Sequence, residues 1–293
     1  MTVSGIVAYP ITPFAADGTV DHLALHRVLD RLVDGGCSAV APLGSTGESA
    51  YLDLTEWTQV VASTVTHIGG RVPTVVGVSD LTTRGAAERA RIAEGLGADV
   101  VMALPVSYWK LTAAEVQRHF EAIAGAVSIP VMVYNNPATA GIDLTPEQLW
   151  ELVRDVENIT MVKESTGDID RMHRLRELSG GTLPFFNGSN PLALKAFQAG
   201  AAGWCTAAPC LIPEQVRDFH AAVAAGDDAL AEERFAQIRP LLEFIVARGL
   251  PTTVKAGLTL TGIAAGHPRR PLLPLDDAEA EELSRLLTAA GVG

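Results

Sequence analysis

Short apolar runs rich in β-branched residues recur along this chain at intervals of about 25 to 35 residues, each separated from the next by a stretch with helical periodicity. The candidate strands are Gly5 to Tyr9, Ala39 to Leu43, Thr74 to Val78, Val100 to Leu104, Val131 to Tyr134, Thr160 to Lys163, Pro184 to Phe186 and Gly203 to Thr206. Eight strand–helix units of this kind predict an α/β fold, a closed parallel (β/α)8 TIM barrel. Asp53-Leu54-Thr55-Glu56, Thr112-Ala113-Ala114-Glu115 and Thr145-Pro146-Glu147 read as helix starts, with a side-chain oxygen to cap and an acid near the positive helix end. Beyond the eighth strand the rhythm changes. Ile212 to Ala225, Asp227 to Arg248, Pro251 to Gly262 and Asp276 to Ala290 all read as helices, punctuated by Gly226, Gly249 and the Pro268 to Pro274 region. The expected division is a catalytic barrel over residues 1–210 and a C-terminal helical domain over 211–293.

With 293 residues, 48% of them hydrophobic, the chain can bury one large core of the size usual for such barrels. Its net charge of -12 disfavours nucleic acid and anionic membrane surfaces as partners, since both repel an acidic protein at range. Cys37, Cys205 and Cys210 have neither metal-site nor disulfide-framework spacing, which suits a reducing, cytoplasmic setting. From Met1 to Tyr9 the chain lacks the basic and apolar regions of a signal peptide, and no run of about 18 apolar residues offers a membrane span. The seven histidines form no His-Glu-x-x-His or comparable ligand spacing, so no metal site is expected. No Gly-x-Ser-x-Gly elbow, dinucleotide loop or phosphate-binding P-loop follows a strand candidate, so hydrolase, dehydrogenase and nucleotide-binding readings lose their main warrants.

In a barrel of this type the reactive groups belong at the C-terminal strand ends. Four polar clusters fall there: Gly44-Ser45-Thr46-Gly47-Glu48, Tyr134-Asn135-Asn136-Pro137, Lys163-Glu164-Ser165-Thr166-Gly167, and Asn187-Gly188-Ser189-Asn190. An amine at the end of a buried strand loses the hydration of its charged form, which favours the neutral nucleophile that imine chemistry requires. A lysine leaving a strand more commonly reaches solvent, and it is the company of Lys163 that points to chemistry. Tyr134 is either a proton carrier beside that lysine or a buried tyrosine bonded to backbone. The glycine-rich segment is either a tight strand-to-helix turn or a nest whose Ser45 and Thr46 amides hold a carboxylate. Cys205 reads as a small buried hydrophobe.

Taken in order, these motifs, with Tyr9-Pro10-Ile11-Thr12-Pro13-Phe14 at the start and the helical C-terminal region, resemble the dihydrodipicolinate synthase and N-acetylneuraminate lyase family of pyruvate-dependent class I aldolases. The resemblance covers nearly the whole chain. It implies a (β/α)8 barrel, a homotetramer built as a dimer of dimers, and a lysine that forms a Schiff base with pyruvate or another 2-oxo acid, with no metal or organic cofactor. By that likeness Lys163 is the Schiff-base lysine and Tyr134 the proton-transferring tyrosine. Ser45 and Thr46 hold the carboxylate, Ser45 also linking the proton relay, and the backbone of Gly188 borders the substrate. Tyr108, in Pro105-Val106-Ser107-Tyr108-Trp109-Lys110, resembles the tyrosine contributed across a tight dimer interface, although Ser107 is an extra residue relative to the commoner pattern.

Departures from the family pattern bear on the substrate. Where the synthase branch carries an arginine for the carboxylate of aspartate semialdehyde, two residues after the proline of Tyr-Asn-x-Pro, this chain has Thr139, which cannot supply a bidentate cation. Leu54, Trp57, Leu81 and Gly85 stand where lysine-inhibited synthases carry histidines or polar groups. Thr139, Asn187, Ser189, Asn190 and Thr206 offer neutral hydrogen bonds to a polyol, the asparagines reading equally well as turn formers. The first expectation is therefore an aldolase or dehydratase of 2-keto-3-deoxy sugar acids. The alternative is 4-hydroxy-tetrahydrodipicolinate synthase, with Arg84 or Lys110 supplying the missing cation. N-acetylneuraminate lyase and a non-catalytic 2-oxo acid binder stand behind these, and pyridoxal-phosphate chemistry lacks a phosphate cup.

Overall fold

Eight β-strands and twelve α-helices account for most of residues 3–292, which the computed structural model describes. The strands are β1 (Gly5–Ala8), β2 (Ala39–Val40), β3 (Val75–Gly77), β4 (Val100–Ala103), β5 (Val131–Asn135), β6 (Ile159–Glu164), β7 (Phe185–Asn187) and β8 (Gly203–Thr206). They form one sheet in the order β2-β1-β8-β7-β6-β5-β4-β3, and each registered pair is parallel. First and last strands are neighbours in this order, the cyclic arrangement of a (β/α)8 TIM barrel.

Helices follow the strands: α1 (His22–Asp34), α2 (Leu54–Ile68), α3 (Thr83–Gly95), α4 (Ala113–Ala124), α5 (Pro137–Ala140), α6 (Pro146–Asp155), α7 (Ile169–Leu178) and α8 (Ala193–Gln198), then α9 (Pro213–Ala225), α10 (Asp228–Arg248), α11 (Leu250–Leu260) and α12 (Asp277–Ala289) without an intervening strand. The expected starts form as read. Asp53 and Thr112 accept from the amides of Glu56 and Glu115, whose side chains return the bond, and Thr145 does the same with Gln148 while Pro146 opens α6.

β8 has the expected bounds, the other strands differ from expectation by a residue or more at one or both ends, and at β2 and β7 the reason is local. β2 stops at Val40 because Pro42 has no N–H for a ladder and Leu43 turns into the left-handed region at φ 62. β7 begins after Pro184 and runs one residue further than expected, to Asn187, which registers with Glu164. Backbone packing divides the chain into two compact units, Pro73–Cys205 in one and Val3–Val72 with the described residues from Thr206 onward in the other. Both are densely filled: Phe120, Phe185, Phe186 and Trp204 are buried in the first, Trp57 and Phe219 in the second. No described helix is long and apolar enough to cross a membrane.

Candidate active site

Strand alternation sorts the ends of β5 and β6 into two layers. Tyr134 registers with Lys163, and Asn135 with Glu164, so each pair points to the opposite side of the sheet from the other. Lys163 and Tyr134 are each only 5% exposed, and the Lys163 Nζ lies 3.8 Å from the centroid of the tyrosine ring. The Tyr134 hydroxyl oxygen accepts a hydrogen bond from Asn136 Nδ2 at 2.8 Å. An oxygen that accepts there directs its own proton elsewhere, which is the geometry a proton donor needs.

Gly188, at the end of β7, completes this group by having no side chain. A Cβ at that position would sit 2.7 Å from Lys163 Cε and 1.8 Å from Ser165 Oγ, closer than any real contact. Its N–H donates to the Glu164 carbonyl at 2.8 Å, which fixes the close approach. Asn187, fully buried, closes the following turn on itself: Nδ2 donates to the Ser189 carbonyl at 2.9 Å and Oδ1 accepts from the Ser189 N–H at 3.0 Å. Asn190 Oδ1 accepts from the Trp204 indole at 3.3 Å. Ser189 is half-buried, and Thr139 is exposed on the short helix α5.

Behind Lys163 and Tyr134 lies a network that sequence reasoning missed. The buried Glu164 carboxylate accepts from the Thr166 amide at 2.7 Å, from Asn135 Nδ2 at 3.2 Å and from Arg171 Nε at 3.3 Å. Asn135 also donates to Asp143 at 3.0 Å and accepts from the Leu144 amide at 3.0 Å, while Arg171 donates to Asp143 at 3.0 Å and to the Leu144 carbonyl. A buried carboxylate is tolerable only with such partners, and these join the tips of β5 and β6. The available signal was period-two alternation, which puts Asn135 and Glu164 on the opposite face from Tyr134 and Lys163.

In the other unit, Ser45, Thr46 and Gly47 form one 3-10 turn after β2, Thr46 buried and Ser45 exposed. Thr12 Oγ1 donates to the Gly47 carbonyl at 2.7 Å, and Glu48 ends the turn in the left-handed conformation at φ 54. Its carboxylate meets Lys255, a second pairing not read from the sequence, although a lysine three residues from buried Leu258 and Thr252 on α11 interrupts that apolar stripe and signals a buried charge. Thr206, at the end of β8, is buried, its hydroxyl accepting from the Ala208 amide at 3.0 Å. Back in the Pro73–Cys205 unit, Tyr108 and Trp109, on the loop after β4, are 98% and 77% exposed, and Arg84 and Lys110 are exposed as well.

The same fold and much of the same sequence belong to a known group of proteins. The family profile of the dihydrodipicolinate synthetase family matches residues 2–290. The 4-hydroxy-tetrahydrodipicolinate synthase of Shewanella sp. strain ANA-3 is 33% identical over 276 residues, 94% of each chain, and other curated relatives 30–33% identical carry the same name. Among solved structures, a Pseudomonas aeruginosa protein provisionally called a dihydrodipicolinate synthetase superposes with a TM-score of 0.97 at 55% identity, covering 99% of this chain and all of its own. The chloride-inhibited dihydrodipicolinate synthase of Acinetobacter baumannii, solved with pyruvate, superposes with a TM-score of 0.95 at 29% identity over the full length of both chains. A match of this extent, on a barrel that sets a buried lysine against a tyrosine at adjacent strand ends, makes the chain a lyase of the dihydrodipicolinate synthetase family, the pyruvate-dependent class I aldolases.

Proposed function

We propose that Lys163 forms a Schiff base with the keto carbon of pyruvate, and that the resulting enamine makes or breaks a carbon–carbon bond. The observation that carries this reading is the Lys163 Nζ held 3.8 Å over the Tyr134 ring, with the absent side chain of Gly188 leaving room for the lysine stem. The amine attacks the keto carbon and water leaves, giving a protonated imine. Loss of a proton from the adjoining methyl carbon then gives an enamine, the nucleophile of the next step. Tyr134 delivers and removes the protons, and Ser45 and Thr46 hold the carboxylate. In the same reading Tyr108 completes the relay of a second copy within a homotetramer, so an isolated monomer would be inactive.

For the second substrate, the names of the curated relatives favour aspartate semialdehyde, the 4-hydroxy-tetrahydrodipicolinate synthase reaction. One observation favours a second reading, a 2-keto-3-deoxy sugar acid cleaved or dehydrated through the same imine. Thr139 is neutral and exposed where a synthase would carry its carboxylate-binding arginine.

Borohydride trapping with pyruvate, followed by peptide mapping and a Lys163→Ala control, tests the common step. An adduct on Lys163 supports the mechanism, and turnover of pyruvate with aspartate semialdehyde, set against a panel of 2-keto-3-deoxy sugar acids, then separates the two readings. Absence of any adduct with pyruvate or longer 2-oxo acids overturns the proposal.

A further inference from the structure

We propose that Glu48, Lys255 and Arg269 act as a clamp that holds the Ser45–Thr46 turn in the one geometry able to receive a 2-oxo acid carboxylate. The inference rests on the carboxylate role given to that turn above, and it assigns the three residues as positioning residues.

Glu48 is the residue immediately after the turn, and its backbone lies in the left-handed region at φ 54, ψ 31. A residue with a side chain stays there only where its surroundings hold it. Those surroundings are ionic and closed to water. Glu48 and Lys255 side chains are 0% and 1% exposed, with Lys255 Nζ 2.5 Å from Glu48 Oε1. The other carboxylate oxygen accepts the Arg269 backbone N–H at 2.6 Å. Lys255 Nζ also donates to the His267 carbonyl at 3.2 Å and lies 3.9 Å from the centroid of Phe14, whose ring carries the Arg269 guanidinium 4.4 Å away.

The guanidinium extends the hold to the segments around the turn. It donates to both oxygens of Glu56, at 2.6 and 2.5 Å, in the capping box that starts α2, and to the carbonyls of Tyr51 and Gly18, each at 2.8 Å. The strand-side flank is tied by the Thr12 bond to Gly47. Gly266 lets the C-terminal loop come this close, since a Cβ there would lie 2.0 Å from the Phe14 carbonyl oxygen.

A buried ion pair gives little net stability compared with an apolar pair of the same volume; what it fixes is position. Burial draws Lys255 down to about 8 from 10.5, against an opposing pull from Glu48, while the contact with Glu48 and the bond to the His267 carbonyl fix where the amine sits. Exposed Ser45 has no packing of its own to fix it. The clamp supplies that order from the C-terminal segment.

The test compares wild type with Lys255→Met, and with Glu48→Gln as a second variant should the first fail to fold. Borohydride trapping is measured against pyruvate and against methyl pyruvate, which has the same keto carbon and no carboxylate charge. The expected result is a rise of about tenfold in half-saturating pyruvate, about 1.4 kcal/mol, with the maximal trapping rate within about threefold of wild type and methyl pyruvate little affected. Amide hydrogen exchange at residues 45–48 is expected to accelerate in the variant. Unchanged half-saturation by pyruvate, or equal losses for acid and ester with unchanged exchange, would overturn the clamp. Should wild type trap no 2-oxo acid, the imine reading falls alone, and exchange at the turn still decides for or against the clamp.

Discussion

Replacing Gly188 by alanine asks how much of the site depends on a missing methyl group. Gly188 has no positive φ, so the substitution leaves the backbone unstrained and introduces a pure problem of space. The new Cβ would meet Ser165 Oγ at 1.8 Å, Ser165 Cβ at 3.0 Å and Lys163 Cε at 2.7 Å. Ser165 can yield, since its buried hydroxyl makes no hydrogen bond and can rotate. Lys163 Cε must retreat by about 0.7 Å to reach ordinary contact near 3.4 Å, and Nζ moves with it away from the Tyr134 ring. A displacement approaching 1 Å at a reacting atom lowers a rate by about a hundredfold, or ~2.7 kcal/mol of barrier. Overpacking adds about 1–3 kcal/mol of lost stability, a few degrees of melting temperature in a chain this long. Borohydride trapping with pyruvate reads the first effect and thermal unfolding the second. Adding Ser165→Ala removes the 1.8 Å contact and leaves the lysine contact, so the double variant should regain stability and remain slow to trap. Trapping at the wild-type rate in Gly188→Ala, or its recovery in the double variant, would refute the view that this glycine sets the position of Lys163.

The Glu164 network should matter for folding as well as position. Glu164→Ala is expected to lose about 3 kcal/mol in urea unfolding, the low end for removing one partner of a buried pair because Asp143 still holds Arg171; a midpoint unchanged within error would show the network to be idle. Burial holds His119, against an opposing pull from Asp80, and His220 below the usual imidazole value. The unfolded chain therefore takes up protons near pH 6.5 before the folded one does, and stability is lost as pH falls through that point. Melting curves between pH 7 and 5 should show a shallower loss in His220→Asn than in wild type, and parallel slopes would contradict the assignment. Burial also pushes the Cys37 and Cys210 thiols up to about 12, so iodoacetamide at pH 8 should label neither until the protein unfolds. Labelling of native protein faster than global unfolding would count against that burial.

How much was legible depends on how local each signal is. The β-branched runs placed all eight strands, and Asp53, Thr112 and Thr145 marked helix starts correctly, because strand character and capping depend on a few consecutive residues. The end of β2 was misplaced where Pro42 and Leu43 override an otherwise apolar run. Lys163 and Tyr134 were readable as a pair because both end strands that neighbour each other in the sheet. Neither Glu164 with Arg171 nor Glu48 with Lys255 was foreseen. Glu164 lies one residue beyond Lys163, and two of its partners, Asn135 and Arg171, come from β5 and α7. Glu48 and Arg269 are 221 residues apart, and no local pattern carries that distance.

That separation has a consequence during synthesis. Ribosomes add about 5–20 residues per second, so the backbone of Glu48 waits on the order of ten to forty seconds for the Arg269 amide that will secure it. Throughout that interval a nascent chain can already hold several paired strands and the Thr12 bond to Gly47, while the Glu48 carboxylate lacks the partners that the C-terminal segment brings. Contacts this distant in sequence are also the slowest to form in refolding, since the loop they close must be ordered first. The turn after β2 is thus secured only at the end of translation, when the segment carrying Lys255 and Arg269 has been made.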